Sequence, residues 1–340
     1  MPASVYTADE EQRAIWVYLE LTEGRLEGVA LELLGKARLL ADPAGWSVSG
    51  LVCGADVGHV VEQAVAHGAD EVWLCDHPLL AEFTVDAYAQ ACYSALMRGK
   101  PSIFLVGATP DGRDMAGRLA VRLRTGLNAD CTDLRFDAAR GVLVSEVTGF
   151  GGGVLALLEM PNHRPQMATV RAGVFPVEEP DPKREGRSVQ VPVELSAESI
   201  HTKVVERVRG QHVDLTQATN LICGGRGVNG DFAALERLAR LVDGEVGATR
   251  PPVDDGMIGR ERQVGQTGVV CRPKVAIACG ISGAFHFVVG IQHAGTVVAI
   301  NTDPEAAIFE FSDYCVVEDV SRIIPALTEA IERQRVSAHA

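Results

Sequence analysis

Short apolar runs alternate with amphipathic stretches of roughly ten to fifteen residues, and this alternation constrains the fold more than any other feature of the chain. AIWVYL (14–19), WSVSGLVCG (46–54), EVWLCD (71–76) and PSIFLVGAT (101–109) read as buried strands. Between them, GRLEGVALELLGKARLLAD (24–42), residues 57–68, residues 84–98 and DMAGRLAVRL (114–123) read as helices. In the first of these Leu31, Leu34 and Ala37 recur at helical spacing, with Glu32, Lys36 and Arg38 between them. A strand can meet a parallel neighbour only through a crossover, so this order predicts βαβ units and a parallel sheet. GVLVSEVTGFGGGVLALLEM (141–160) departs from it: two apolar runs around a Gly-rich turn predict an antiparallel pair added to that sheet.

Composition shifts at FPVEEPDPKREGRSVQVPVEL (175–195), whose prolines and charges predict an extended connector. HTKVVERVR (201–209) has the pattern of a further strand closing the first domain. The alternation then restarts: ATNLICGG (218–225) as strand, DFAALERLARLVDG (231–244) as helix, KVAIACG (274–280) as strand, SGAFHFVVGI (282–291) as helix and TVVAIN (296–301) as strand. The 340 residues exceed what one core usually accommodates. The sequence therefore predicts two α/β domains with mainly parallel sheets, 1–211 (including the connector 175–200) and 212–340.

Charge and composition exclude several function classes. A net charge of −14 argues against nucleic acid, whose binding needs a dense basic face. The eight cysteines include no C-x-x-C pair, which disfavours zinc ribbons and iron–sulfur clusters. The histidines form no i, i+4 pair, so no metal site is expected. No apolar run approaches the roughly 20 residues of a membrane span, and the opening MPASVYTADEEQR does not resemble a signal peptide. A cytoplasmic protein with reduced thiols and no membrane insertion is expected.

Glycine points to the site. Ten of the 35 glycines fall between Gly244 and Gly295, beside apolar runs, where glycine serves tight turns and close backbone approach to a ligand. One buried strand ends at Gly280 and turns through Ile281, Ser282, Gly283 and Ala284, a setting suited to a phosphate or other anion. Gly224-Gly225-Arg226-Gly227 occupies the same place in the preceding βα unit, where open α/β sheets bind ligands. Between them lie GATRPPVDDG (247–256) and QVGQTG (263–268), a polar stretch in which Arg250, Gln266 and Thr267 offer donors. Tight turns without a ligand and a solvated arginine are the competing readings.

In order, spacing and identity, Arg226 in GGRG, Arg250 in TRPPVDDG, VGQTG (264–268), GISGA (280–284) and AINTDPEAAIF (299–309) resemble the C-terminal domain of the electron-transfer flavoprotein alpha subunit. LELLGKARLLAD (31–42), GATPDGRDMAGRLAVRL (107–123), NADCTDL (128–134) and MATVRAGVFP (167–176) resemble the first domain of the same family, so the likeness covers nearly the whole chain. The resemblance implies an N-terminal domain of nucleotide-alpha-hydrolase-like fold for heterodimer assembly with a beta subunit, and a Rossmann-like C-terminal domain that binds FAD. It implies an electron-carrier subunit rather than a stand-alone enzyme, serving an acyl-CoA dehydrogenase or similar flavoenzyme. Some relatives act in NADH-linked electron bifurcation with ferredoxin, and both forms stay open.

By the same resemblance Arg226, Thr249, Val264, Gly265, Gln266, Thr267, Ser282, Gly283, Ala284 and Asn301 match flavin-contacting positions, joined by Arg250 and the Phe285-His286-Phe287 segment. Asp319, followed by Val320, matches the adenosine end. The family usually reads GISGA-x-Gln-His, so Phe287 stands where a histidine is expected near the flavin C2 carbonyl. That change predicts weaker stabilisation of negative charge on the ring, unless His286 or Arg250 compensates. Two alternatives come from other classes. One is a non-redox partner-binding subunit with an altered or lost flavin site. The other is a stand-alone NAD-dependent oxidoreductase, which would need G-x-G-x-x-G after the first strand, where LELTEGRLEG stands instead.

Overall fold

Residues 5–7, 11–149, 154–206 and 215–338 are described by the computed structural model, and the chain divides into two units, Met1–Arg207 and Val208–Ala340. The first begins with β1 (Gln12–Tyr18), a minimal hairpin of β2 (Leu21–Thr22) and β3 (Arg25–Leu26), and α1 (Gly28–Ala41). It continues through β4 (Ser47–Gly54), α2 (Val61–Ala66), β5 (Glu71–Asp76), α3 (Val85–Gly99), β6 (Pro101–Gly107) and α4 (Pro110–Leu123). β7 (Leu127–Cys131), β8 (Asp133–Asp137), β9 (Val142–Gly149), β10 (Val154–Glu159), β11 (Gln166–Val170) and β12 (Arg187–Gln190) complete it.

Seven of these strands form one sheet in the order β12-β5-β4-β1-β6-β11-β7, every neighbouring pair parallel. Strand alternation splits the apolar residues between its faces. Ile15 and Val17 of β1 pack with Val29, Leu33 and Leu34 of α1, while Trp16 and Tyr18 pack with Ala91 and Leu96 of α3 and Leu119 of α4. This is why the central strands read as apolar runs: they are covered on both sides.

Three expectations need correction. The hairpin in 141–160 forms, but with β8 it makes a separate antiparallel sheet, β10-β9-β8, instead of extending the parallel one. The stretch expected as an extended connector contributes β12, which adds to the sheet edge through Arg187↔Glu71 to Gln190↔Leu74. Its charged, mostly exposed side chains hid a strand held by backbone pairing. Residues 201–206 form no strand and are exposed, and 207–209 lie outside the described residues, as does the expected boundary at 211/212.

The second unit runs β13 (Asn220–Gly224), α5 (Phe232–Leu241), β14 (Glu245–Ala248), α6 (Arg250–Asp254), β15 (Val275–Cys279), α7 (Phe285–Val288), β16 (Thr296–Asn301), β17 (Tyr314–Val317) and α8 (Val320–Ala338). Its five strands are parallel in the order β14-β13-β15-β16-β17. From β13 the chain moves first to one side and then to the other, so the strand order reverses between β13 and β15. Ligands of open α/β sheets bind outside the carboxyl ends of strands at such a reversal. The helix expected over 282–291 shrinks to the four residues of α7, and Gly283, at a φ of +91° ahead of it, keeps it from starting earlier. Among the described residues no helix is long and apolar enough to cross a membrane.

Candidate functional site

At the carboxyl edge of the second sheet, the sequence-selected segments are tied to one another by backbone hydrogen bonds. Gly225 N–H donates to Cys279 O at 2.9 Å and Gly227 N–H to Gly280 O at 3.1 Å, joining the turns after β13 and β15. This closeness requires glycine: a Cβ on Gly227 would lie 2.7 Å from Gly280 Cα, and one on Gly225 2.4 Å from Gly280 O. Thr249 N–H donates to Gly224 O at 3.0 Å, and Val264 N–H to Ala248 O at 2.9 Å, which brings in the ends of β14 and the 263–268 turn. Gln266 N–H reaches His286 O at 2.7 Å, and Ile308 N–H reaches Ser282 O at 3.1 Å.

Side chains at this edge fall into two groups. Arg226, Arg250, Thr267, Ser282, Ala284, Phe285 and His286 are exposed and Gln266 half-buried. Val264, Gly265, Gly283, Thr249 and Val320 are buried and shape the backbone beneath them. Phe287, expected beside a flavin ring, is only 4% exposed and packs with Val264, Ile281 and Val288 in the core. Successive residues of α7 point about 100° apart, so burying Phe287 and Val288 turns Phe285 and His286 outward. Asn301 is likewise engaged internally: its Nδ2 donates to Ile281 O at 2.8 Å and its Oδ1 accepts from Asp303 N–H at 3.0 Å. It braces the 280–284 turn.

Two arginines stand at this edge, one of them paired. Arg226 opens the turn after β13 at the start of a short 3₁₀ segment, Arg226–Val228. Arg250 Nε donates to Asp254 Oδ2 at 3.0 Å across one turn of α6, and both groups are exposed. Asp319 N–H donates to Glu318 Oε1 at 2.9 Å, while the Asp319 carboxylate caps the start of α8. Hydrogen bonds from the Ser321 hydroxyl and N–H hold that carboxyl below the usual range. Burial pushes the Cys279 thiol beneath the β15 turn up to about 12, so it stays protonated and serves as packing.

Two residues at this edge escaped the sequence reading. Gln263, buried just before VGQTG, donates from Nε2 to Thr267 Oγ1 at 2.8 Å. Asp254 is the counter-ion of Arg250. The i, i+4 spacing of both pairs was the available signal.

FAD presents a pyrophosphate dianion and a ring edge of carbonyl and imine acceptors. Two guanidinium groups and the Ser282 and Thr267 hydroxyls, exposed along one edge with glycine turns between them, and the half-buried Gln266 form a donor set that suits it. Fold and donor set together define a dinucleotide-binding α/β protein. Residues 15–196 match the electron transfer flavoprotein domain, and residues 214–292 match the electron transfer flavoprotein FAD-binding domain. The chain is 41% identical over 327 residues to the electron transfer flavoprotein subunit alpha of Thermoanaerobacterium thermosaccharolyticum, covering 95% of this chain and 99% of that one. It is 40% identical to Protein FixB of Clostridium saccharobutylicum, with coverage of 93% and 96%. It is 37% identical to the acryloyl-CoA reductase electron transfer subunit beta of Anaerotignum propionicum, with coverage of 94% and 96%. The chain belongs to the electron transfer flavoprotein alpha subunit family; its cofactor is FAD and its role is electron transfer.

Proposed function

We propose that this alpha subunit pairs with a beta subunit and exchanges electrons, through FAD held at the β13–β15 edge, with a flavoenzyme of the acyl-CoA dehydrogenase type. The convergence of the 224–227, 249–250, 263–268 and 280–286 segments on one strand edge carries the cofactor assignment. A similar chain that serves an acryloyl-CoA reductase supports the choice of partner. Bound FAD supplies the reversible uptake of electrons. Around it, Ser282 and the Gly283–Ala284 backbone would hold the pyrophosphate, with Arg226 beside them. Arg250 would neutralise negative charge on the ring, and the Thr267 hydroxyl would donate to ring N5. Asp319 lies toward the adenosine end, where its cap of α8 fixes the approach of that helix. Val264, Asn301, Phe287 and Val320 support these groups from beneath.

Assembly through the first unit has its own support. β10 is an edge strand whose Leu155 and Leu157 are each 56% exposed, and Val154 and Leu158 are exposed beside them. An uncovered aliphatic edge is what soluble proteins avoid, unless a partner covers it. Ion pairs Arg140–Glu159 and Arg135–Glu146 rim this patch, as polar groups rim interfaces. A chain carrying −14 repels a second copy of itself, which favours a different partner. A cytoplasmic location belongs to the same proposal, supported by eight cysteines outside any disulfide, seven of them buried.

The test is reduction of the purified heterodimer by an acyl-CoA substrate with catalytic amounts of its dehydrogenase, followed by bleaching of the flavin. Bleaching that depends on the dehydrogenase supports the proposal. Bleaching by NADH alone, with two flavins per heterodimer, would replace it with the bifurcating form that also uses ferredoxin.

A further inference from the structure

The turn that carries Thr267 also controls where its hydroxyl proton points. Gln263 is 6% exposed, whereas Thr267, four residues later, is exposed. The turn between them is fixed from both sides. Gln263 N–H donates to Arg260 O, Gln263 O accepts from Val269 N–H at 2.8 Å, and Gly265 N–H donates to Val269 O at 3.0 Å. Gln266 N–H ties the turn to His286 O on α7. A Cβ on Gly268 would sit 2.1 Å from Gln263 O, and one on Gly265, at φ +132°, 2.4 Å from His286 O. The backbone therefore has little freedom to move Gln263 away from Thr267.

A threonine hydroxyl has one proton and two acceptor lone pairs. Gln263 Nε2 donates to Thr267 Oγ1 at 2.8 Å and so occupies one lone pair. The hydroxyl proton must then point away from the buried amide, toward the exposed side of the turn. We propose that Gln263 is a positioning residue that presets the Thr267 hydroxyl as a donor toward ring N5. This rests on the reading above that Thr267 faces the ring. The donated bond strengthens on one-electron reduction that leaves N5 unprotonated and the ring negatively charged, because hydrogen bonds to charged acceptors are the stronger ones; full reduction protonates N5 and ends that bond. Gln263 thereby favours the one-electron-reduced, anionic flavin without touching it.

The experiment is a redox titration of the FAD-loaded heterodimer in four forms: wild type, Gln263→Leu, Thr267→Val and the double variant. A second readout is the nitrogen resonance of FAD labelled with ¹⁵N at N5. Thr267→Val and Gln263→Leu are each expected to lower the ratio of one-electron-reduced to oxidised flavin at a fixed potential. A tenfold change corresponds to about 59 mV for one electron. Gln263→Leu is expected to add nothing in the Thr267→Val background, and to move the N5 resonance in the same direction as Thr267→Val. Should Gln263→Leu fail to fold by circular dichroism, Gln263→Glu serves in its place. Its carboxylate accepts the Thr267 proton and turns the donor inward, so the N5 resonance shifts likewise. Potentials and resonances that respond to Thr267→Val but not to either Gln263 variant, or shifts that add in the double variant, overturn the positioning role. If Thr267→Val changes neither readout, it is the placement of Thr267 at the ring that fails.

Discussion

Replacing Glu20 with glutamine should stabilise the first unit at pH 8 and change it little at pH 5. Glu20 follows β1 and is buried, and its Oε2 accepts a hydrogen bond from the Thr109 hydroxyl at 2.7 Å. Burial pushes its carboxyl from 4.5 up to about 7; the Thr109 bond pulls down, and the charges of Glu27 and Asp111 push further up. The folded protein therefore binds this proton more tightly than the unfolded chain. The stabilisation is complete below pH 4.5 and disappears as pH rises through about 7. At about 1.4 kcal/mol per pH unit, the interval from 4.5 to about 7 corresponds to about 3 kcal/mol. Glutamine keeps an oxygen to accept from Thr109 and never ionises. In urea unfolding of both forms, the variant should gain about 2–3 kcal/mol more, relative to wild type, at pH 8 than at pH 5. An equal difference at the two pH values would refute the reasoning, since it would mean that Glu20 ionises as freely in the fold as outside it.

Two further perturbations bear on assembly and cofactor retention. Leu155→Glu with Leu157→Glu should weaken the heterodimer about a hundredfold or more, as expected from losing about 3 kcal/mol of aliphatic burial, with the chain's own melting unchanged; sedimentation with the beta subunit measures it. Gly283→Ala should cost the second unit about 2 kcal/mol or more and lower its FAD content, because the new Cβ would meet Ile308 N at 2.0 Å in a backbone at φ +91°. Denaturant unfolding and flavin absorbance report the two effects, and a variant as stable and as yellow as wild type would contradict the geometry.

Much of the parallel architecture was legible because strands buried on both faces are mostly apolar, as β1, β4 and β6 are. β12 was hidden, since Arg187, Ser188 and Gln190 carry no apolar signal and the strand is held by pairing with β5. β11 was hidden for another reason: MATV is too short to separate from its loop, and its burial comes from neighbours on both sides. The glycine turns announced the site, because two turns that approach within hydrogen-bonding distance leave no room for a Cβ at Gly225 or Gly227. The outward or inward direction of Phe285, His286 and Phe287 was not legible. It depends on where a four-residue helix begins, and the φ of Gly283 decides that. Gln263 was missed because its i, i+4 spacing to Thr267 falls within a turn, where no helical pattern draws attention to it.

The central claim is that FAD lies at the carboxyl edge between β13 and β15. Photolabelling of the heterodimer with 8-azido-FAD, followed by peptide mass spectrometry, tests it most directly. Label is expected on peptides containing residues 224–228, 249–268 or 280–287, and on none when unmodified FAD is in excess. Competable label confined to the first unit, with the second unit folded and unlabelled, would contradict the account.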